Sequence, residues 1–247
     1  MLGLPSQVRA CLFDMDGVLT QTAKVHAAAW KRVFDELLER RAQERNERFV
    51  PFDEVADYDR YVDGKPRYDG VASFLASRRI ELEPGAPDDP PSADTVHGVG
   101  ERKNQLVLEM IHEQGVQPYE GSVRYVQAAR AAGLRCAVVS SSSNTHDVLA
   151  AAHIDELFHA VVDGVLAERE HLHGKPAPDT YLAGARALGV GAGEAAVFED
   201  ALAGVEAGRA GRFRLVVGVD RIGQARELEA HGADVVVKDL AELLAPP

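Results

Sequence analysis

Apolar residues recur along this chain in two rhythms. The first is a set of short runs, rich in valine or otherwise strand-like: VRACLF at 8–13, LRCAVVS at 134–140, AAVF at 195–198, FRLVVGV at 213–219 and ADVVV at 233–237. Helix-length segments separate most of them. That alternation predicts an α/β fold, a Rossmann-like doubly wound parallel sheet with helices on both faces.

The second rhythm fills the interval between the first run and the second, which is far too long for an ordinary crossover. From 23 to 112 the apolar positions follow helical spacing, as in HAAAWKRVFDELLERRAQER and YDGVASFLASRR, without strand-like runs. The expectation is a catalytic core of residues 1–20 and 117–247 and a helical cap of residues 21–116, inserted after the first strand. One linker follows GVLTQT and the other lies near QGVQPYEGS. Within the cap, EPGAPDDPPSAD at 83–94 is rich in Pro and Asp and reads as a solvated loop.

Composition narrows the function. A chain of 247 residues with 46% hydrophobic and 27% charged residues has the profile of a globular protein. Its formal charge of -12 argues against nucleic acid as a partner, because a phosphate-backbone surface needs an excess of clustered Lys and Arg. No run approaches the roughly 18 apolar residues of a membrane helix, and MLGLPSQVRA lacks the apolar stretch of a secretory leader. The expectation is a cytoplasmic monomer that acts on a small molecule, without a membrane or nucleic-acid partner. The two cysteines, Cys11 and Cys136, sit in strand-like runs and read as buried reduced thiols.

The chemistry-bearing residues lie at the ends of the runs, where the loops of an open parallel sheet converge on ligands. Asp14 and Asp16 follow the first, Ser141 and Ser142 the second, Lys175 precedes the third, and Glu199 and Asp200 follow it. Several carboxylates share a small site only if a cation neutralises them. Oxygen donors without a His or Cys cluster favour Mg2+ over zinc. A phosphate would complete the charge balance, with Asp14 as nucleophile, Asp16 as proton carrier and Lys175 as partner to both anions. Gly17 lets the chain turn sharply just beyond the aspartates. Taken alone, an isolated DxDG is as well read as a solvated turn.

FDMDGV, the serines after AVV, GKPAPD and FEDALAGVEAG resemble, in order, the four motifs of the haloacid dehalogenase superfamily. The resemblance implies an aspartyl-phosphate enzyme. Asp14 would attack phosphorus and Asp16 would shuttle the proton. Mg2+ would be held by Asp14, the Asp16 carbonyl and Asp200, with Glu199 close by. Gly17, Ser141, Ser142 and Lys175 would bind the transferring phosphoryl group.

Three further stretches resemble the β-phosphoglucomutase branch: VHAAAW with His26, VDGKPRYDG with Arg67, and ERKN with Lys103. The resemblance implies that His26 links cap closure to positioning of Asp16, and that Arg67 and Lys103 grip the phosphate that is not transferred. The implied reaction interconverts β-glucose 1-phosphate and glucose 6-phosphate, with β-glucose 1,6-bisphosphate as phosphorylating activator. A sugar-phosphate phosphatase on the same scaffold is the alternative, and a silent binding module a third reading. Gln21 and Ala201 depart from the branch pattern, which usually has an acidic residue and a serine there.

Overall fold

The computed structural model describes residues 2–244, so residue 1 and residues 245–247 of the expected core lie outside the described residues. The chain packs as two compact units. One comprises the residues up to Gln21, Gly64–Pro66 and Val116 onward; the other comprises Thr22–Asp63 and Arg67–Gly115.

The second unit is helical, built on α1 (Ala23–Arg45), α2 (Arg67–Ser77) and α3 (Val96–Gln114), with one π-helical turn at Tyr58–Val62. Along α1 the buried residues Trp30, Val33, Phe34, Leu37 and Leu38 repeat at three- and four-residue steps, which places them on one face. They close on Phe52, Val71, Phe74 and Val99 as the unit's own core. Phe34 lies 4.1 Å from Phe74 and 5.0 Å from Trp30 between ring centroids. Residues 83–94 form bends and turns without regular structure, and Thr95 then starts α3 by accepting from the Gly98 amide at 3.0 Å.

The first unit is an α/β layer structure. Among its described residues six strands form one parallel sheet in the order β3-β2-β1-β4-β5-β6. They are β1 (Ala10–Phe13), β2 (Arg135–Val139), β3 (Ala160–Val162), β4 (Ala195–Glu199), β5 (Leu215–Val219) and β6 (Val235–Val237). Each of the five strand-like runs contains a strand. The sixth, β3, was not expected.

Among its described residues this unit also holds six α-helices: α4 (Glu120–Ala131), α5 (Thr145–Ala151), α6 (Gly164–Arg169), α7 (Asp179–Ala187), α8 (Leu202–Ala210) and α9 (Ala225–His231). Alternate residues of each central strand face opposite layers. Ala10, Leu12, Val139 and Val197 pack with Tyr181 of α7 and Val205 of α8. On the opposite face Phe13 stacks on Phe198 at 4.5 Å and meets Tyr125 of α4 edge-on at 6.3 Å. Cys11 and Cys136 are register partners on β1 and β2, and both are buried free thiols. The hydrogen bond that the Cys11 thiol donates to Cys136, together with burial, pushes it well above its ordinary pKa, so it stays protonated.

Candidate active site

The sheet register assembles the acids. Phe13 pairs with Phe198 across β1 and β4, so the residues that follow, Asp14 and Glu199, emerge side by side. The Asp14 amide continues the ladder by donating to the Phe198 carbonyl at 2.9 Å. Carboxylate oxygens of Asp14, Glu199 and Asp200 lie within 4.8 Å of one another, and all three residues are buried. Asp16 is outside that trio, in the turn after β1, where it bridges to Thr20.

Gly17 has φ +84°, a conformation glycine adopts without penalty. A Cβ there would stand 1.7 Å from an Asp200 carboxylate oxygen, so the turn presses directly on the acid cluster. Gly204 in the first turn of α8 plays a similar part, since a Cβ at that position would stand 1.7 Å from Glu199 Oε1.

Lys175 supplies the positive charge. Its buried ammonium donates to Asp14 Oδ1 and to Glu199 Oε1, the latter at 2.6 Å, and lies 5.0 Å from the Tyr181 ring centroid. Glu199 is fully engaged by protein donors: Oε1 also accepts from Tyr181 Oη at 3.2 Å, and Oε2 from the Ala201 amide at 2.8 Å. Glu199 therefore orients Lys175, a task its place in the sequence motif did not reveal. Tyr181 is a member of this network that sequence reasoning missed, and helical spacing from Lys175 gave no reason to single it out.

Burial holds the Asp14 carboxyl well above the usual carboxylate range; Lys175 pulls it down, while Glu199 and Asp16 push it further up. Burial also pulls Lys175 down, but Asp14 and Glu199 more than offset this and raise it well above its ordinary value, so the ammonium stays charged. Asp14 and Glu199 share the Lys175 ammonium, and the buried Asp14, Glu199 and Asp200 cluster offers only hard oxygen donors.

Ser141 and Ser142 follow β2, the neighbour of β1. The Ser141 hydroxyl donates to the Gly64 carbonyl at 2.8 Å, within the same unit. Ser142 is used in its own loop, where its hydroxyl accepts from the Asn144 amide at 3.2 Å and its carbonyl from Thr145 Oγ1 at 2.8 Å.

The remaining sequence candidates belong to the helical unit. Lys103 Nζ is 2.8 Å from His26 Nδ1 and 4.8 Å from the Trp30 ring centroid. This buried lysine thus joins α3 to the start of α1, a partnership its position in ERKN did not suggest. Arg67 forms an ion pair with Glu101, whose same oxygen accepts from Tyr68 Oη at 2.7 Å. Glu101 and Tyr68 were not picked out from the sequence. Both sit within matched stretches but carry no spacing of their own.

The haloacid dehalogenase-like hydrolase family matches residues 8–212. The chain is 58% identical over 247 residues to proteins named β-phosphoglucomutase from Mycobacterium tuberculosis and Mycobacterium bovis, covering 99% of this chain and 94% of each relative. Among solved structures, a β-phosphoglucomutase from Clostridium difficile superposes with a TM-score of 0.73 at 22% identity, covering 96% of this chain and 93% of that one, a likeness of fold. Ordered motifs, parallel sheet and near full-length identity agree, and the chain belongs to the haloacid dehalogenase-like hydrolase family, in its β-phosphoglucomutase branch.

Proposed function

We propose that the protein is a β-phosphoglucomutase, a phosphotransferase that interconverts β-glucose 1-phosphate and glucose 6-phosphate through an aspartyl-phosphate on Asp14. The observation that carries this reading is the 58% identity with named mutases across the helical unit as well as the sheet unit. Support from geometry is the placement of Asp14 against Lys175 at the end of β1.

Asp14 and Asp200, with the Asp16 carbonyl, would hold Mg2+, and the oxygen-only donor set fits that ion. When bound, Mg2+ neutralises the carboxylates and the phosphoryl oxygens. Lys175, fixed by Glu199, steadies Asp14 and takes one anionic oxygen of the transferring group. Gly17 lets the turn amides approach that group, and the Ser141 and Ser142 loop supplies further donors.

In the forward direction Asp14 starts phosphorylated by β-glucose 1,6-bisphosphate. Asp16 removes the proton from the 6-hydroxyl of β-glucose 1-phosphate as that oxygen attacks phosphorus. The bisphosphate reorients, Asp14 takes the phosphoryl group from C1, and Asp16 returns the proton to the leaving oxygen. Most of the rate gain is positioning and charge neutralisation. Arg67, oriented by Glu101, grips the phosphate that stays put. Lys103 and His26 act as one buried pair that sets the start of α1. The reading takes the protein as a cytoplasmic monomer with a small sugar phosphate as its partner. Among the described residues no helix is long and apolar enough to cross a membrane.

The test is incubation with Mg2+, β-glucose 1-phosphate and a trace of β-glucose 1,6-bisphosphate, following glucose 6-phosphate and free phosphate together. Glucose 6-phosphate should form well ahead of free phosphate. Free phosphate as the main product would make the protein a phosphatase, and neither product would make it a binding module.

A further inference from the structure

Asp16 has to meet a sugar oxygen with its carboxyl correctly aimed, yet it stands in a turn rather than on a strand. The turn closes on itself through Gly17 N to Thr20 O at 2.8 Å and through the Leu19 and Thr20 amides to Met15 O, each at 2.9 Å. Those bonds give it shape. They do not fix it to the sheet.

Ser122 Oγ of α4 holds one point of the turn by donating to Val18 O at 2.6 Å, and Thr20 bridges to Pro118. The attachment at Gly17, next to Asp16, comes from a residue just beyond β5. Arg221 Nε donates to Gly17 O at 2.7 Å, and Nη2 lies 3.4 Å from Val18 O. The rest of the guanidinium is equally engaged. Nη1 donates to Lys238 O at 2.8 Å, a carboxylate oxygen of Asp239 is 3.7 Å away, and the Tyr119 ring centroid is 3.6 Å from Cζ. Tyr119 in turn donates its amide to Leu19 O at 2.8 Å. The side chain is only 15% exposed. A planar fork is needed to reach two segments of backbone at once, and a lysine in its place reaches one.

The loop that carries Arg221 also touches the backbone of Asp200. Gln224 Nε2 donates to the Asp200 carbonyl at 3.1 Å, and Asp220 Oδ1 holds that loop by accepting from the Gly223 and Gln224 amides at 2.6 and 2.8 Å. We infer that Arg221 is a positioning residue for proton transfer: it fastens the Gly17–Thr20 turn to the sheet so that Asp16 keeps its aim on the sugar oxygen. The inference rests on the mutase reading above. Asp14, anchored by the β1–β4 ladder, does not depend on the clamp to the same degree.

The chemistry offers a discriminating test. An acyl phosphate expels a good leaving group without proton donation, whereas transfer to or from a sugar hydroxyl needs Asp16. In Arg221→Gln, kcat for glucose 6-phosphate formation should fall about 100-fold with KM little changed, while phosphorylation of Asp14 by acetyl phosphate, which uses the turn for phosphoryl binding but not for proton transfer, falls by a clearly smaller factor. Hydrogen exchange at the Gly17, Leu19 and Thr20 amides should quicken while the β1 and β4 amides stay as they were. Arg221→Lys should restore part of kcat. Unchanged exchange at the turn overturns the inference, as do equal losses with both phosphoryl donors. If the unsubstituted protein makes no glucose 6-phosphate, the mutase reading fails and takes the inference with it. A working unsubstituted protein whose Arg221→Gln variant does not separate the two donors sinks the inference alone.

Discussion

Lys175 holds its ammonium between Asp14 and Glu199, and any change of charge at the site is felt there first. Asp14→Asn should abolish glucose 6-phosphate formation without weakening the fold. The upward displacement of the Asp14 carboxyl means that its ionised form opposes folding when no cation is bound. Between the ordinary carboxylate pKa and the raised one, the folded protein keeps a proton that the unfolded chain has released. Stability in chelator should therefore fall as pH rises through that window. Asp14→Asn should remove this fall, which thermal melts across the pH range in EDTA will read. A melting midpoint well below that of the unsubstituted protein would contradict it. At this scale the gathering of Asp14, Lys175, Glu199 and Asp200 was legible because each lies in a short motif beside a strand. What Glu199 does was not, because the allotment of its two oxygens to Lys175, Tyr181 and Ala201 depends on three segments distant in sequence.

Between β4 and α8 the chain turns within a few residues, and Gly204 keeps the helix backbone against the Glu199 carboxylate. Gly204→Ala should displace Glu199 and, through it, Lys175. Overpacking of this kind costs about 1–3 kcal/mol of stability. Activity should suffer more, by about 100-fold, since misplacing a reacting group by an ångström has that effect. Denaturant unfolding and kcat measured on the same preparation separate the two losses. A stability change without an activity change would sink the argument. Elements were readable wherever their apolar pattern ran long enough, as in α1 and the central strands. The edge strand β3 escaped although the equally short β6 did not, and the Lys103–His26 pairing escaped because it joins two helices whose register only packing sets.

The whole molecule should answer to Mg2+ as well. An ion that binds only the folded state stabilises it by about 2.7 kcal/mol at a hundred times its Kd. For a chain of this size that corresponds to a rise of roughly 5–10 °C in the melting midpoint. Calorimetry with Mg2+ and then EDTA should show that rise and its reversal, and Asp200→Ala should respond far less. An equal response in the variant would remove Asp200 from the ion's ligands. The described residues divide into a sheet unit and a helical unit, and Gly64–Pro66 returns to the sheet unit, which three residues without periodicity do not announce.

The strand order carries a consequence for how the protein is made. β1 lies between β2 and β4, yet more than a hundred residues separate it from β2 and more still from β4. On the ribosome, the strand that leads into Asp14 leaves the tunnel long before either neighbour exists to pair with it. Contacts so distant in sequence slow folding and leave apolar surface open to aggregation. The helical unit is synthesised in that waiting period, and its own core lets it fold while β1 remains unpaired.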